Sequence, residues 1–257
     1  MSLSGPWNVG LALLLTLLAG CATVPGEYRD PSDPLEPYNR DMFKFNQAVD
    51  KAVLKPVAKG YKAITPTPVR HGITNFFNNI SDVTSAINNL LQFKLSRAGS
   101  DVGRLAVNST IGVLGFFDVA TNMGLPDYKE DFGQTLGYWG AVPSPYLVLP
   151  FLGPSTLRDT IGLGGDIVTS PLFNLRDDRV YWGLVGLDFV NQRTNLLTAG
   201  ELLEGAAIDP YTFVRDAYLQ KRRNQIFDGN PPPEQDAEDI WADELTKTEK
   251  AGHSPGE

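Results

Sequence analysis

The chain has 257 residues, of which 42% are apolar, 10% aromatic and 20% charged, with 25 Gly, 19 Pro and one Cys. That length supports a real core in one large or two small domains, and the composition excludes collagen-like, disulfide-stapled and wholly disordered chains. One cysteine permits neither an internal disulfide nor a thiolate metal cage, two histidines leave little for histidine catalysis, and a net charge of −8 argues against nucleic acid as a partner. The charge is uneven: nine of the 30 acids but only two of the 22 bases fall from Asp228 onward. The body is therefore nearly neutral. Residues 228–257 read as an acidic, solvated and disordered tail opened by Pro231-Pro232-Pro233.

The N-terminal run VGLALLLTLLAG, residues 9–20, is too short to span a bilayer and fits the apolar region of a secretory signal peptide. Leu18-Ala19-Gly20-Cys21 resembles the bacterial lipobox, which predicts a signal peptide over 1–20 and a lipidated tether over 21–32 beginning at Cys21. At about 0.8 kcal/mol per buried CH₂, two or three acyl chains on Cys21 anchor a protein permanently. Residues 2–10 carry no Lys or Arg, off the usual basic pattern. Ala22, rather than an acid, follows the cysteine and points to the outer membrane.

Residues 33–227 read as one predominantly all-α domain. Tyr38, Met42, Phe45, Val49 and Val53 form a helical stripe that Pro56 should kink or interrupt, and Thr65-Pro66-Thr67-Pro68 breaks the chain. From Gly72 to Phe93 a second stripe, Ile73, Phe76, Phe77, Ile80, Val83, Ile87, Leu90 and Leu91, is backed by Asn75, Asn78, Asn79, Asp82, Ser85, Asn88, Asn89 and Gln92. That amide-rich, nearly uncharged face fits a soluble exterior, a helix lying against lipid, or the lining of a wet passage. Residues 101–120 read as an apolar helix loosened by Gly103, Gly112 and Gly115 and carrying Asn108. Residues 124–160 read as a long Gly/Pro/aromatic loop, in which prolines on either side of Tyr146 to Leu149 forbid a normal strand. Helices are predicted over 156–168, over 180–203, and from Asp209-Pro210 to Phe227 with a stop at Gly229.

Catalytic chemistry is hard to assemble. Gly153-Pro154-Ser155-Thr156-Leu157 lacks the second glycine of a nucleophile elbow, and His71 is the only base in the body to serve it. Gly162-Leu163-Gly164-Gly165 lacks the third glycine and the βαβ setting of a dinucleotide loop. Asp159 and Asp166 share a helical face, yet an ion pair with Arg158 or a hydrated lining suits them better than a glycosidase pair. The chain reads as a non-enzyme, with no catalytic residues, metal or cofactor.

Five blocks carry a further reading: Asp33-Pro34-Leu35-Glu36 with Tyr38-Asn39-Arg40; Phe132-Gly133-Gln134-Thr135-Leu136-Gly137; Pro145-Tyr146 with Leu149-Pro150; Thr156-Leu157-Arg158-Asp159; and Asp209-Pro210-Tyr211 with Arg215-Asp216-Ala217-Tyr218. In this order, behind a lipobox, they resemble the MlaA/VacJ family of phospholipid-transporting outer-membrane lipoproteins. The resemblance implies a single ring-like bundle of amphipathic helices embedded in the inner leaflet of the outer membrane, beside a trimeric porin. It also implies removal of mislocalised phospholipids from the outer leaflet through a central amphipathic channel, and delivery to the periplasmic lipid carrier MlaC. Neutral amides and a few charges would substitute for water around a headgroup crossing hydrocarbon. The channel-lining residues expected on that basis are Asn78, Asn79, Asn88, Asn89, Asn108, Asp159 and Asp166. The aromatic segment, with Gly137, Tyr138, Gly140, Pro145 and Pro150, is expected to gate the passage. The alternative is a lipid-anchored, porin-associated envelope scaffold that moves no lipid.

Overall fold

The computed structural model describes residues 30–206 and 209–233, so Cys21, the signal peptide and most of the acidic tail lie outside the described residues. Helices α1 (Glu36–Val49) and α2 (Lys55–Ile64) run on through a π-helical segment, Asp50–Leu54. Pro56 sits at the start of α2, so the missing N–H is absorbed by one widened turn rather than by a break. After the Pro66 turn, α3 (Thr67–Leu91) is the longest element. It packs along α4 (Leu95–Thr110).

The helix expected over 101–120 starts earlier and ends at Thr110. Val113, Leu114 and Gly115 all take positive φ there, which throws an apolar loop outward before the short α5 (Val119–Asn122). The 124–160 segment is not one loop. It contains α6 (Phe132–Tyr138), capped by Asp131, and an antiparallel pair of strands, β1 (Tyr146–Leu149) and β2 (Gly153–Thr156).

The flanking prolines do not forbid this strand, and the pairing shows why. Val148 opposes Pro154, and the Val148 N–H points away from β2 to the side-chain oxygen of Asn39 at 2.8 Å. The same Asn39 amide donates to the Tyr146 carbonyl at 3.1 Å. Pro154 thus sits where no ladder bond is needed, and Asn39, fully buried, serves as a third strand made of one side chain. Asn46 repeats the device at the turn, donating to the Leu149 carbonyl and accepting from the Phe151 N–H.

Then α7 (Leu157–Thr169), capped by Thr156, leads through a short 3₁₀ turn (Pro171–Asn174) to α8 (Asp178–Asn195). The helix expected over 180–203 is divided at Leu196, and α9 (Leu197–Ala206) follows. Asp209 and Pro210 start α10 (Pro210–Ile226) as expected, and Gly229, at positive φ, closes it with an N–H to the Asn224 carbonyl. Residues 228–233 lie against the body: Asp228 pairs with Lys94 and Arg97, and Arg223 holds the Pro232 and Pro233 carbonyls.

The interior is unusual. Tyr146, Val148 and Tyr211 form a small apolar cluster with Met42, Phe43, Tyr218 and Leu219 around it. Elsewhere most buried positions go to polar groups, among them Asp82, Ser85, Asn88, Asn89, Asp101 and Arg104, and the buried apolar ones are mainly alanines. Large apolar side chains face outward instead: Leu114 is 69% exposed, Trp182 66% and Ile161 63%. So α3 turns its amide face inward, inverting the ordinary soluble helix. Among the described residues no helix is long and apolar enough to cross a membrane.

Candidate functional site

A cavity of about 670 Å³ opens between α3, α7, α8 and α10. From α3 come Thr74, Asn78, Ser81, Thr84 and Ser85, spaced by three and four so that one helical stripe forms the wall. Asp188, Asn191 and Gln192 of α8 stand across from it, Asp166 and Ser170 come from α7, and α10 adds Lys221 and Gln225. Lys129, Glu130 and Asp131, ahead of α6, complete the polar lining, while Phe77, Ile80 and Leu172 contribute apolar surface.

Hydrogen bonds fix much of this wall. Asn191 donates to the Thr74 hydroxyl at 2.7 Å and accepts from the Tyr61 hydroxyl at 3.1 Å, joining α8 to α2 and α3. Gln192 donates to Asp188 at 2.8 Å. Burial raises the Asp188 carboxyl above its ordinary pKa despite that bond. Asp166 accepts from the Phe132 N–H at 2.9 Å, and burial pushes its carboxyl up to about 6.

Beside the cavity lies an ion cluster built differently. Arg222 on α10, 8% exposed, gives its three nitrogens to Asp131 (2.6 and 2.8 Å) and Asp159 (2.8 and 3.0 Å). Tyr218 and Arg158 also bond Asp159, at 2.8 and 2.9 Å. Burial alone would raise both carboxyls, but the Arg222 hydrogen bonds and charge hold them below the ordinary value. The helices meet closely here: a Cβ on Gly162 would lie 2.4 Å from the Gly133 backbone nitrogen, so α6 and α7 cross at bare backbone. Gly162 and Gly165 are helix-packing residues, with Gly165 against the Phe132 ring, whereas Gly164 faces open space.

Of the seven residues expected along the channel, Asn78 and Asp166 line this cavity. The other five tie elements together: Asn79 to Ser109, Asn88 to Thr135 and the Thr84 carbonyl, Asn89 to Asp101, Asn108 to Asp118 and the Ala120 N–H, and Asp159 to Arg222. Of the five expected in a gate, Gly137 and Tyr138 belong to α6, with Gly137 packed on Ile226. Gly140 has positive φ just beyond it, Pro145 precedes β1 with its carbonyl bonded to the Leu157 N–H, and Pro150 is exposed in the hairpin turn. Lys129, Asp188, Gln192 and Lys221 were not foreseen on the wall. Asp188 and Gln192, polar and four apart within an apolar stripe, were the readable signal. His71 is exposed, and Ser155 lies in β2 bonded to Thr160 and the Thr156 carbonyl.

Apolar surface outward, a polar cavity inward, and a mainly helical chain define a protein built for a lipid environment. The comparisons with known proteins agree: a family model described as MlaA lipoprotein matches residues 31–225, and the chain belongs to that family. The Escherichia coli K12 protein named "Intermembrane phospholipid transport system lipoprotein MlaA" is 36% identical over 218 residues, covering 82% of this chain and 85% of that one. A Haemophilus influenzae protein of the same name is 33% identical over 229 residues, 85% of this chain and 90% of that one. A solved structure from work on the "Structural basis for maintenance of bacterial outer membrane lipid asymmetry" superposes with a TM-score of 0.67 at 35% identity, covering 77% of this chain and all of that one.

Proposed function

We propose that this chain is an outer-membrane lipoprotein that takes mislocalised phospholipids from the outer leaflet through the polar cavity, preserving lipid asymmetry. The single observation that carries this reading is the inversion of polarity: amides, hydroxyls and charges line a 670 Å³ amphipathic cavity, alongside Phe77, Ile80 and Leu172, while Leu114, Ile161 and Trp182 face outward. A headgroup in hydrocarbon loses its water, and a wall of neutral amides and hydroxyls replaces those hydrogen bonds. The apolar exterior seats the body in the inner, periplasmic leaflet, where Cys21 anchors it by its acyl chains. From there the lipid passes to a soluble periplasmic carrier of the MlaC kind, with a trimeric porin beside the complex. Relatives with this name are transport-system lipoproteins, and no chemistry on the lipid is needed.

The test is outer-leaflet phospholipid content in cells lacking the gene, complemented with wild type or Cys21→Ala. Accumulation outside that only the lipidated form reverses supports the reading. Normal asymmetry without the gene removes the transport claim and leaves an envelope scaffold in its place.

A further inference from the structure

The cavity wall carries charges that no ion pair consumes. Asp166 has the Phe132 N–H and the Asn88 amide, with the Arg222 charge nearby but spent on Asp131 and Asp159, and Asp188 has Gln192; neither forms an ion pair. Lys221, exposed at the same cavity, has no carboxylate partner among the described residues. Lys129 bonds Asp82 at 3.3 Å and Asp127 at 3.2 Å, which leaves one of its three ammonium donors. The remaining acids of the wall are matched, Glu130 by Lys94 and Asp131 by Arg222. Both signs of unspent charge therefore face one space.

We propose that this space is a station for a zwitterionic phosphoethanolamine headgroup, its phosphate on Lys221 and Lys129 and its primary ammonium on the carboxylates of Asp166 and Asp188. The proposal rests on the transport reading above and names the substrate class for it. A purely anionic headgroup satisfies the lysines but brings no cation to the two carboxylates, which then repel it. Asn78 and Ser81, on the α3 wall, supply neutral hydrogen bonds to the phosphate and glycerol oxygens. The raised carboxyls of Asp166 and Asp188 are consistent with sites whose counter-charge arrives with a ligand.

The experiment is equilibrium binding by the full lipidated chain in non-ionic detergent, using phosphatidylethanolamine and phosphatidylglycerol of identical acyl chains. Wild type should favour the ethanolamine lipid by about tenfold. Asp166→Asn with Asp188→Asn should bring the ratio to about one by weakening that lipid alone, and Asp188→Glu should largely keep the preference. Lys221→Gln should weaken both lipids similarly. Helical circular dichroism of each variant separates these effects from unfolding. Equal affinity in wild type, or a ratio unmoved by the double substitution, overturns the station while leaving transport standing. Tight binding of free glycerophosphoethanolamine without acyl chains also overturns it, in favour of a small-solute site. Failure to bind either lipid overturns the transport reading and the station together.

Discussion

Two polar regions of this interior are oppositely balanced, and the better matched of them is the less deeply buried. Around Arg222 every guanidinium N–H has an acceptor in Asp131, Asp159 or Gln225, and both carboxyls sit below their ordinary pKa. Between α3 and α4 the matching is incomplete on both sides: Asn79, Asn89, Asp82 and Asp101 each keep an oxygen without a hydrogen bond, and the Arg104 Nε donor, 3.6 Å from Asp82, likewise lacks one. There burial pushes the Asp101 carboxyl up, and that of Asp82 to about 6. Geometry makes the difference, since Arg104 Nε stops 3.6 Å short of Asp82. The Arg222 cluster is a rivet joining α6, α7 and α10, whereas the α3–α4 network tolerates its unpaired groups beside Thr84 and Ser85, which line the open cavity.

Removing the rivet is the sharpest way to break this contrast. Arg222→Ala leaves Asp131 without a cation and Asp159 with Arg158 and Tyr218 alone, and should cost about 3 kcal/mol, read as a lowered denaturation midpoint in detergent. A loss under 1 kcal/mol would mean that the cluster is wet. Gly162→Ala forces a methyl into the Gly133 backbone, which cannot swing aside, and should cost about 1–3 kcal/mol by the same measurement.

On the other side, Asp101→Asn should change stability by less than about 1 kcal/mol at pH 7.5, or raise it, since it removes a charge that burial disfavours. A large loss would show that the network is matched after all. Acidity sharpens the comparison further. Asp82 and Asp166, raised to about 6, hold protons in the folded chain that the unfolded chain releases, so stability falls as pH rises between their ordinary value and 6. Asp131 and Asp159 behave oppositely: their contribution persists at neutral pH and is lost as pH drops below the ordinary carboxylate value. Folding stability should therefore be higher at pH 5 than at pH 7.5, by about 1 kcal/mol after solvent screening, read as a higher melting temperature, and Asp166→Asn should flatten that slope.

Much of the helix content was legible because amphipathic stripes and caps are local. Asp209 before Pro210 and the stop at Gly229 needed no tertiary information. The face that α3 buries was not legible, because periodicity locates two faces without saying which meets solvent and which meets the protein. The β1–β2 pair was missed because its third hydrogen-bonding partner is Asn39, 109 residues from Val148. Likewise, amides read as channel lining became ties, since Asn88 finds Thr135 at 2.7 Å and Asn108 finds Asp118 at 3.1 Å only after the helices pack. Asn78 and Asp166 stay on the cavity wall.

The central claim is that lipid travels through the polar cavity and not merely past the apolar exterior. The direct measurement is outer-leaflet phospholipid in cells whose only copy carries Ser81→Trp, which projects an indole from the α3 wall into that space. A folded, membrane-inserted Ser81→Trp protein should let phospholipid accumulate outside as in cells lacking the gene. Full asymmetry with the cavity blocked would contradict the account.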